Sequence, residues 1–293
     1  MDNRSDIRDF LATRRARLTP EQVGLPTGGG RRRVAGLRRE EVAVLAGVSI
    51  EWYTRLEKGH ISGVSDDVLE AVARALRLDE EETAYLLDLA RAASAKSPRR
   101  RRAVDVPTSV QWLLDSMTLS AAFVTNGRLD MVAANPLGRA LYSAMLNGPT
   151  AAAGGTGNIA RYNFLDPAAR DFYADWDAAA DTTVALLRAE AGRYPNDKAL
   201  RELVGELSTV SAEFRTRWAA HDVRLHHGGV KRFRHHAVGS LELTYYPLVL
   251  PTSVHTAHTL TSYIAQPGSD SEDKLKLLTS WAATDTLRTG PVG

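Results

Sequence analysis

Residues 36–59 restrict the fold of this chain more than any other stretch, because they combine two short amphipathic helices with a sharp turn. The sequence there is GLRREEVAVLAGVSIEWYTRLEKG. The spacing of its apolar residues predicts a first helix over 38–46 and a second over 49–57. Gly47 lies between them, where its freedom to adopt positive φ permits the turn. Ser49 follows as a good N-cap for the second helix.

The second of these helices is expected to have an inner and an outer face. Tyr53 and Leu56 fall on the inner face at helical spacing. The outward positions carry Ile50, Glu51, Thr54 and Arg55. This is the layout of a helix-turn-helix whose second helix enters the DNA major groove. A generic helical hairpin is the alternative, but the turn residue, the cap and the outer face all agree with the DNA-binding motif.

The same stretch resembles the lambda-repressor-like, or XRE, class of helix-turn-helix proteins. The matching segments are Glu41-Val42-Ala43, Gly47-Val48-Ser49 and Leu56-Glu57-Lys58-Gly59. The resemblance implies that Glu57 pairs internally with an arginine of the first helix of the domain, and Arg15 is our candidate. Glu57 is therefore expected to be structural and not a base contact.

The residues that open each helix of the motif are expected to contact DNA. Arg38 and Arg39 begin the first helix, where side chains and backbone N–H groups face phosphate. Ser49 is placed to hold a phosphate or a base. Ile50 reads only by apolar contact, for example with a thymine methyl, and Glu51 can accept from a cytosine N4.

Arg55 is the strongest candidate for reading sequence, as a bidentate donor to guanine O6 and N7. Thr54 shares its outward face. Lys58 and His60 follow the helix and are expected to touch the DNA backbone. The predicted partner of this half is double-stranded DNA.

The distribution of charge along the chain supports double-stranded DNA as the partner. Residues 1–60 hold 12 Lys and Arg against 8 Asp and Glu, a net +4, whereas residues 103–293 hold 17 against 19, a net −2. Residues 31–33 and 99–102 are unbroken arginine runs. Each run fits either a phosphate contact or a solvated surface.

Length and composition bound the remaining possibilities. The 293 residues suffice for two domains with cores of their own. There are no cysteines, which suits a reducing cytoplasm and removes thiolate metal sites. No apolar run reaches the roughly 18 residues of a membrane span. We therefore expect a cytoplasmic protein without a membrane partner, signal segment or cofactor.

Two domains are predicted, joined by a basic linker. Residues 1–93 read as a five-helix DNA-binding domain, and residues 94–105 as an Arg-rich linker with no apolar periodicity. In 106–293, Asn126-Gly127 between strand-like runs predicts a β-hairpin. Helices are expected over 159–221. Three strands over 230–236, 240–250 and 258–266, and a helix over 272–281, follow them.

This order of elements resembles a PAS-like domain, an antiparallel five-stranded sheet with helices on one side. The fold class is therefore α+β: an all-α helix-turn-helix domain followed by a PAS-like domain. The whole chain resembles the MmyB-like transcription regulators, on segments that include NPLGRALY at 135–142, FLDPAARDFYADW at 164–176, LVGELSTVSAEFRTRWAAHDV at 203–223 and VKRFRHHAVGSLELTY at 230–245. The resemblance implies a small-molecule-binding domain in the second half.

The apolar residues of that half suggest a largely apolar, acyl-like ligand. Its candidate contacts are Trp112, Phe123, Phe172, Trp176, Arg215, Trp218, His221, Phe233 and Tyr245. Plain core packing is the competing interpretation for each aromatic residue, since interiors are close-packed in any case. His226-His227 and His235-His236 do not suggest a metal, because adjacent strand residues point to opposite faces.

Two other functions remain open for the second half. It could be a protein–protein interaction module, or a hydrolase, although no GxSxG elbow is present. We favour a non-enzymatic regulator. A homodimer is expected, because such motifs bind paired half-sites about one helical turn apart.

Overall fold

The computed structural model describes residues 3–26, 36–94, 106–151, 156–220, 228–253 and 256–288. Contacts divide these residues into two compact units. The first comprises the described residues of Met1–Arg100, Arg188–Arg201 and Thr216–Leu225. The second comprises those of Arg101–Leu187, Glu202–Arg215 and His226–Gly293. The first unit thus includes two segments that the sequence suggested for the second domain, because they pack with the N-terminal helices.

The first unit is all-helical. Its N-terminal part contains α1 (Asn3–Arg17), a 3-10 turn (Glu21–Val23), α2 (Arg39–Ala46), α3 (Ile50–Glu57), α4 (Asp66–Ala75) and α5 (Glu80–Ser94). Asp79 caps α5, since its Oδ1 accepts from the Glu82 N–H at 2.8 Å, as in a capping box. Apolar side chains from all five helices form one core, which includes Phe10, Val42, Leu69 and Leu86. The five predicted helices are therefore confirmed.

The second unit is built on an antiparallel sheet. Its strands are β1 (Ala121–Thr125), β2 (Met131–Ala134), β3 (Gly229–His235), β4 (Gly239–Ser253) and β5 (Thr256–Ile264). Among the described residues these form a five-stranded sheet in the order β2-β1-β5-β4-β3. The β1–β2 hairpin turns at Asn126, as predicted, and the Asn126 side chain accepts from the N–H groups of Arg128 and Asp130.

Helices connect and cover the strands. They are α6 (Thr108–Ser116), α7 (Pro136–Leu141), α8 (Ser143–Asn147), α9 (Ile159–Leu165), α10 (Ala168–Phe172), α11 (Trp176–Arg193), α12 (Lys198–Val210), α13 (Ala212–Ala219) and α14 (Asp270–Arg288). Asn135 caps α7, accepting from Gly138 N–H at 2.7 Å, and its amide also donates to Met117 and Ser120 carbonyls. Its Oδ1 also accepts from the Ala122 N–H of β1 at 3.1 Å, so this one side chain, directly after β2, links β1 to α7.

The two faces of the sheet differ. The inner face packs against helices in a large core that includes Phe123, Leu241 and Tyr263. On the outer face, Val124 and Leu260 pack with Leu114 of α6 in a smaller cluster. The expectation of helices on one side only is therefore wrong for α6. Neighbouring strand residues point to opposite faces, so β1 presents apolar side chains to both.

Candidate functional site

The α2–turn–α3 segment has the predicted geometry. Gly47 follows α2 with φ of 68°, in the left-handed region that glycine adopts without strain. Ser49 caps α3, and its hydroxyl oxygen accepts from the Trp52 N–H at 3.1 Å. The Arg38 N–H at the start of α2 donates to Glu41 Oε2 at 2.6 Å. Local hydrogen bonds thus define where both helices begin.

A buried carboxylate holds this segment against α1. Glu57 is only 1% exposed, and its Oε1 pairs with Arg15 Nη2 at 2.8 Å. Its Oε2 accepts from Arg39 Nε, also at 2.8 Å. Arg15 additionally donates to the Leu37 carbonyl at 2.7 Å. The predicted Arg15–Glu57 pair is confirmed, and Glu57 is internal. Its second partner, Arg39, was missed because sequence reasoning had assigned that residue to phosphate alone.

Two glycines allow the surrounding chain to come close. A Cβ on Gly36 would lie 2.5 Å from the Ala16 Cα, and one on Gly59 would lie 2.7 Å from the Arg4 carbonyl oxygen. Gly59 also has a φ of 91°. The start of α1 therefore lies directly against the turn that follows α3, which places Arg4 beside Arg55 and His60.

The predicted DNA-contacting side chains share accessible positions on these helices and their ends. Arg38, Ser49, Glu51, Arg55, Lys58 and His60 are exposed, Ile50 is 47% exposed, and Thr54 is partly exposed. Arg39 combines two roles, since its side chain is 49% exposed while it bonds Glu57. The arginine runs at 31–33 and 99–102 lie outside the described residues. DNA contact by any of these residues remains a prediction.

In the second unit, five of the nine predicted ligand contacts come together. Phe123, Phe172, Phe233 and Tyr245 are buried in the inner core, and Trp176 packs against its edge. The rings of Phe172 and Phe233 lie 5.0 Å apart between centroids. The sequence therefore identified an aromatic core correctly, although ring packing alone does not identify a ligand.

Three other predicted contacts lie outside this inner core, and their contact with a ligand stays a prediction. Trp112 lies on α6, outside the inner core, and is 69% exposed. Arg215 is exposed and donates to the Ser208 carbonyl at 2.8 Å. Trp218 belongs to the first unit, where the Arg188 guanidinium covers its ring at 4.2 Å. The periodicity of the sequence predicts which face of its helix each residue occupies, but not which part of the protein packs against that face. His221 lies outside the described residues.

Sequence reasoning missed the polar groups of this core. Tyr142 and Tyr263 are buried with their hydroxyls 3.3 Å apart. Burial raises the pKa of both phenols, so they are neutral at physiological pH. Tyr173 is buried beside them. In the sequence these tyrosines occupy the same kind of position as the buried phenylalanines. The sequence pattern therefore could not show that their hydroxyl groups would lie together.

Lys231 of β3 is the second missed group. Its ammonium lies 5.5 Å from the ring centroids of both Tyr173 and Tyr245. Burial lowers the pKa of Lys231 to about 8. Within the described residues no carboxylate pairs with it. A partly buried cation between aromatic faces is suited to bind an anion or a polar head group.

The histidines offer little to a metal. His235 Nδ1 accepts from the Ala237 N–H at 3.2 Å, so Nε2, which lies 3.0 Å from the Ala140 carbonyl, carries the proton. The rings of His235 and His236 lie 4.4 Å apart, because His236 stands past the end of β3. The expected opposite orientation is wrong there. Among the described residues, no group of three acidic or histidine side chains could hold a metal ion. His226 and His227 lie outside that part of the chain.

Comparisons with known proteins match two stretches of the chain to two domain families. Residues 6–86 match the family model of a helix-turn-helix domain. Residues 106–278, more than half of the chain, match the model of the MmyB-like transcription regulator ligand binding domain. A search of curated proteins found no match. No helix in the described ranges is long and apolar enough to cross a membrane. The chain therefore belongs to the MmyB-like transcription regulators, with a DNA-binding helix-turn-helix domain ahead of a ligand-binding domain.

Proposed function

We propose that this regulator recognises specific double-stranded DNA through α3 and that its second domain senses a small, largely apolar, acyl-like ligand. The observation that carries the first part is the exposed face of α3. Ile50, Glu51 and Arg55 project from a helix whose start is capped by Ser49. Its end is held by the buried Glu57. A reading helix needs this rigidity, because base contacts depend on placement.

Arg55 is proposed to read guanine. Its side chain is exposed and makes no ion pair within the described part of the chain, so its guanidinium is available to a base. Arg55→Ala should relax preference at one base position, at a cost of about 1–3 kcal/mol. Lys58→Ala is the matched control, since a phosphate contact should weaken all sequences alike.

Selection from random DNA with the full-length protein tests this assignment. Loss of one preferred base in Arg55→Ala, with the preference intact in Lys58→Ala, is the expected result. An unchanged preference in Arg55→Ala contradicts the guanine contact. We choose Lys58 over Arg39 for the control because Arg39 also bonds Glu57.

The ligand is proposed to lie among the inner-core aromatic residues, with its polar end at Lys231. The support is chemical: Phe172, Phe233 and Tyr245 supply apolar surface, and Lys231 supplies a cation without a carboxylate partner among described residues. Dodecanoate should therefore raise the melting temperature more than dodecanol does. Lys231→Met should remove that difference. Equal stabilisation by both probes in the wild type would contradict an acidic head group at Lys231.

A homodimer in the cytoplasm completes the proposal. The outer sheet face supports the dimer, because Val230, Tyr246, Leu248 and Ile264 of β3, β4 and β5 are all exposed there. Val230 and Ile264 both pair with Thr244 of the strand between them, so the exposed side chains are neighbours. Contiguous apolar surface of this kind marks interaction sites. We propose that a second copy covers it.

Leu248→Asp should then give a monomer in light scattering and weaken binding to paired half-sites. A wild-type monomer, with and without DNA, would contradict the dimer. That outcome would favour the second candidate function, in which the same apolar face binds a different protein. Ligand-dependent transcription would in either case arise from a shift between conformational states.

A further inference from the structure

A cleft of about 440 Å³ lies beside the C-terminal end of α3 in the first unit. Arg4 of α1, Arg55 of α3 and His60 of the following turn form part of its lining. Pro195 and Asn196, from the turn between α11 and α12, complete it on another side. The cleft therefore joins the helix-turn-helix to a turn that lies within the matched ligand-binding region.

The lining of this cleft suits an anion. Arg4, Arg55 and His60 are exposed donors, and its described lining includes no aspartate or glutamate. Gly59 allows Arg4 to approach, because a Cβ at that position would meet the Arg4 backbone. Concave surfaces lined by one sign of charge concentrate counter-ions and charged partners. The neutral Asn196 amide is exposed there and can donate to an anionic oxygen.

Two contacts with α5 hold the α11–α12 turn in this place. Arg193 Nε pairs with Asp88 Oδ2 of α5 at 2.9 Å. Gly192 packs so closely on the Tyr85 ring that a Cβ there would lie 2.5 Å from its Cε2. Earlier in α11, Arg188 is fully buried and bonds the Trp218 carbonyl of α13 within the same unit. The turn is thus a fixed part of the first unit and not a loose neighbour of it.

We propose that this cleft receives a stretch of the DNA sugar–phosphate backbone beside the groove that α3 reads. Asn196 contacts that stretch of DNA backbone. The inference rests on the proposed function and extends it to residues outside the helix-turn-helix. The DNA-contacting surface is then composite, drawn from both matched regions.

Charge substitution at position 196 tests the inference in the full-length protein. Asn196→Asp and Asn196→Lys are titrated by fluorescence anisotropy against the DNA that the wild type selects, over a range of salt concentrations. A backbone contact predicts about threefold to tenfold weaker binding for Asp and a similar gain for Lys, both shrinking at high salt. The Lys variant should also steepen the slope of log affinity against log salt by about one.

Asn147 provides the matched control, since it is an exposed asparagine of the second unit. Asn147→Asp and Asn147→Lys make the same charge changes and should alter affinity less than twofold, within about 0.4 kcal/mol. Equal effects at both positions would show a net-charge effect and overturn the inference. So would unchanged binding in both Asn196 variants, or tighter binding by Asn196→Asp.

Failure of the inference is distinguishable from failure of the proposed function. If the wild type selects a sequence and Arg55→Ala changes it while Asn196 variants bind as wild type does, only the composite surface is wrong. If the wild type binds no DNA sequence preferentially, the proposed reading by α3 is wrong and the inference falls with it.

Discussion

The buried Glu57 carboxylate gives the sharpest prediction about stability. Glu57→Ala removes the acceptor of two arginines and leaves Arg15, which is only 16% exposed, without its ion-pair partner. Breaking a buried pair by deleting one member costs about 3–5 kcal/mol, because the remaining charge stays desolvated. We expect a loss in that range for the unfolding free energy of the first unit.

The two arginines should couple to Glu57 unequally. Arg15 makes two hydrogen bonds to Oε1, from Nη2 at 2.8 Å and Nε at 3.3 Å, in a partly buried setting. Charged hydrogen bonds of this kind contribute roughly 1.5–3 kcal/mol. Arg39 makes one bond and is half exposed, so its coupling should be about 1 kcal/mol or less. A double-mutant cycle separates the two values.

Native-state hydrogen exchange of α2 and α3 amides, read by mass spectrometry, is the appropriate assay, because a chain with two units need not unfold in one step. Glu40→Ala is the control, since Glu40 forms an exposed pair with Arg38 and its loss should cost less than about 1 kcal/mol. If the losses in Arg15→Ala and Glu57→Ala simply add in the double variant, the carboxylate does not hold α3 to α1 and the reasoning fails.

Three further substitutions test packing and burial. Gly192→Ala should destabilise the first unit by about 1–3 kcal/mol, because the new methyl group meets the Tyr85 ring. Gly205→Ala is the control: it has open space around it and should stabilise α12 by up to about 1 kcal/mol. Thermal denaturation of the two variants measures the difference. Lys231→Met should raise the melting temperature at pH 7, since it removes a cation whose pKa burial lowers to about 8 from about 10.5. Between these two pKa values the unfolded state binds more protons at this lysine than the folded state does. The unfolding free energy of the wild type should therefore rise with pH in this range, and that of the variant should not. A variant that keeps the gain would contradict the burial of this ammonium.

Local chemistry made the helix-turn-helix predictable. Gly47 and Ser49 act within one turn of their own positions, so their roles could be inferred without tertiary structure. The strands of the second half followed from a period of two, and the structure has them within a few residues of the predicted bounds. The Glu57–Arg15 pair spans 42 residues and came from family resemblance, not from local pattern.

The structure decided which side chains meet across long separations. Trp112 and Phe123 are both aromatic, yet one is exposed on α6 and the other is buried in the inner core. Arg193 reaches Asp88 across 105 residues, which brings the α11–α12 turn beside α3. No periodicity in the sequence encodes that contact, because it depends on how whole helices pack.

The sequence by itself determined the helix-turn-helix, the alternating strands and the class of regulator, because caps, turns and periodicity act over a few residues. Tertiary structure alone decided that Lys231 lies between two tyrosine rings, that Arg39 shares Glu57, and that Asn196 lines the cleft beside Arg55. Each of these contacts forms only when distant segments of the chain pack against one another. The burial and the charge environment of a side chain arise from that packing and do not exist in the extended chain.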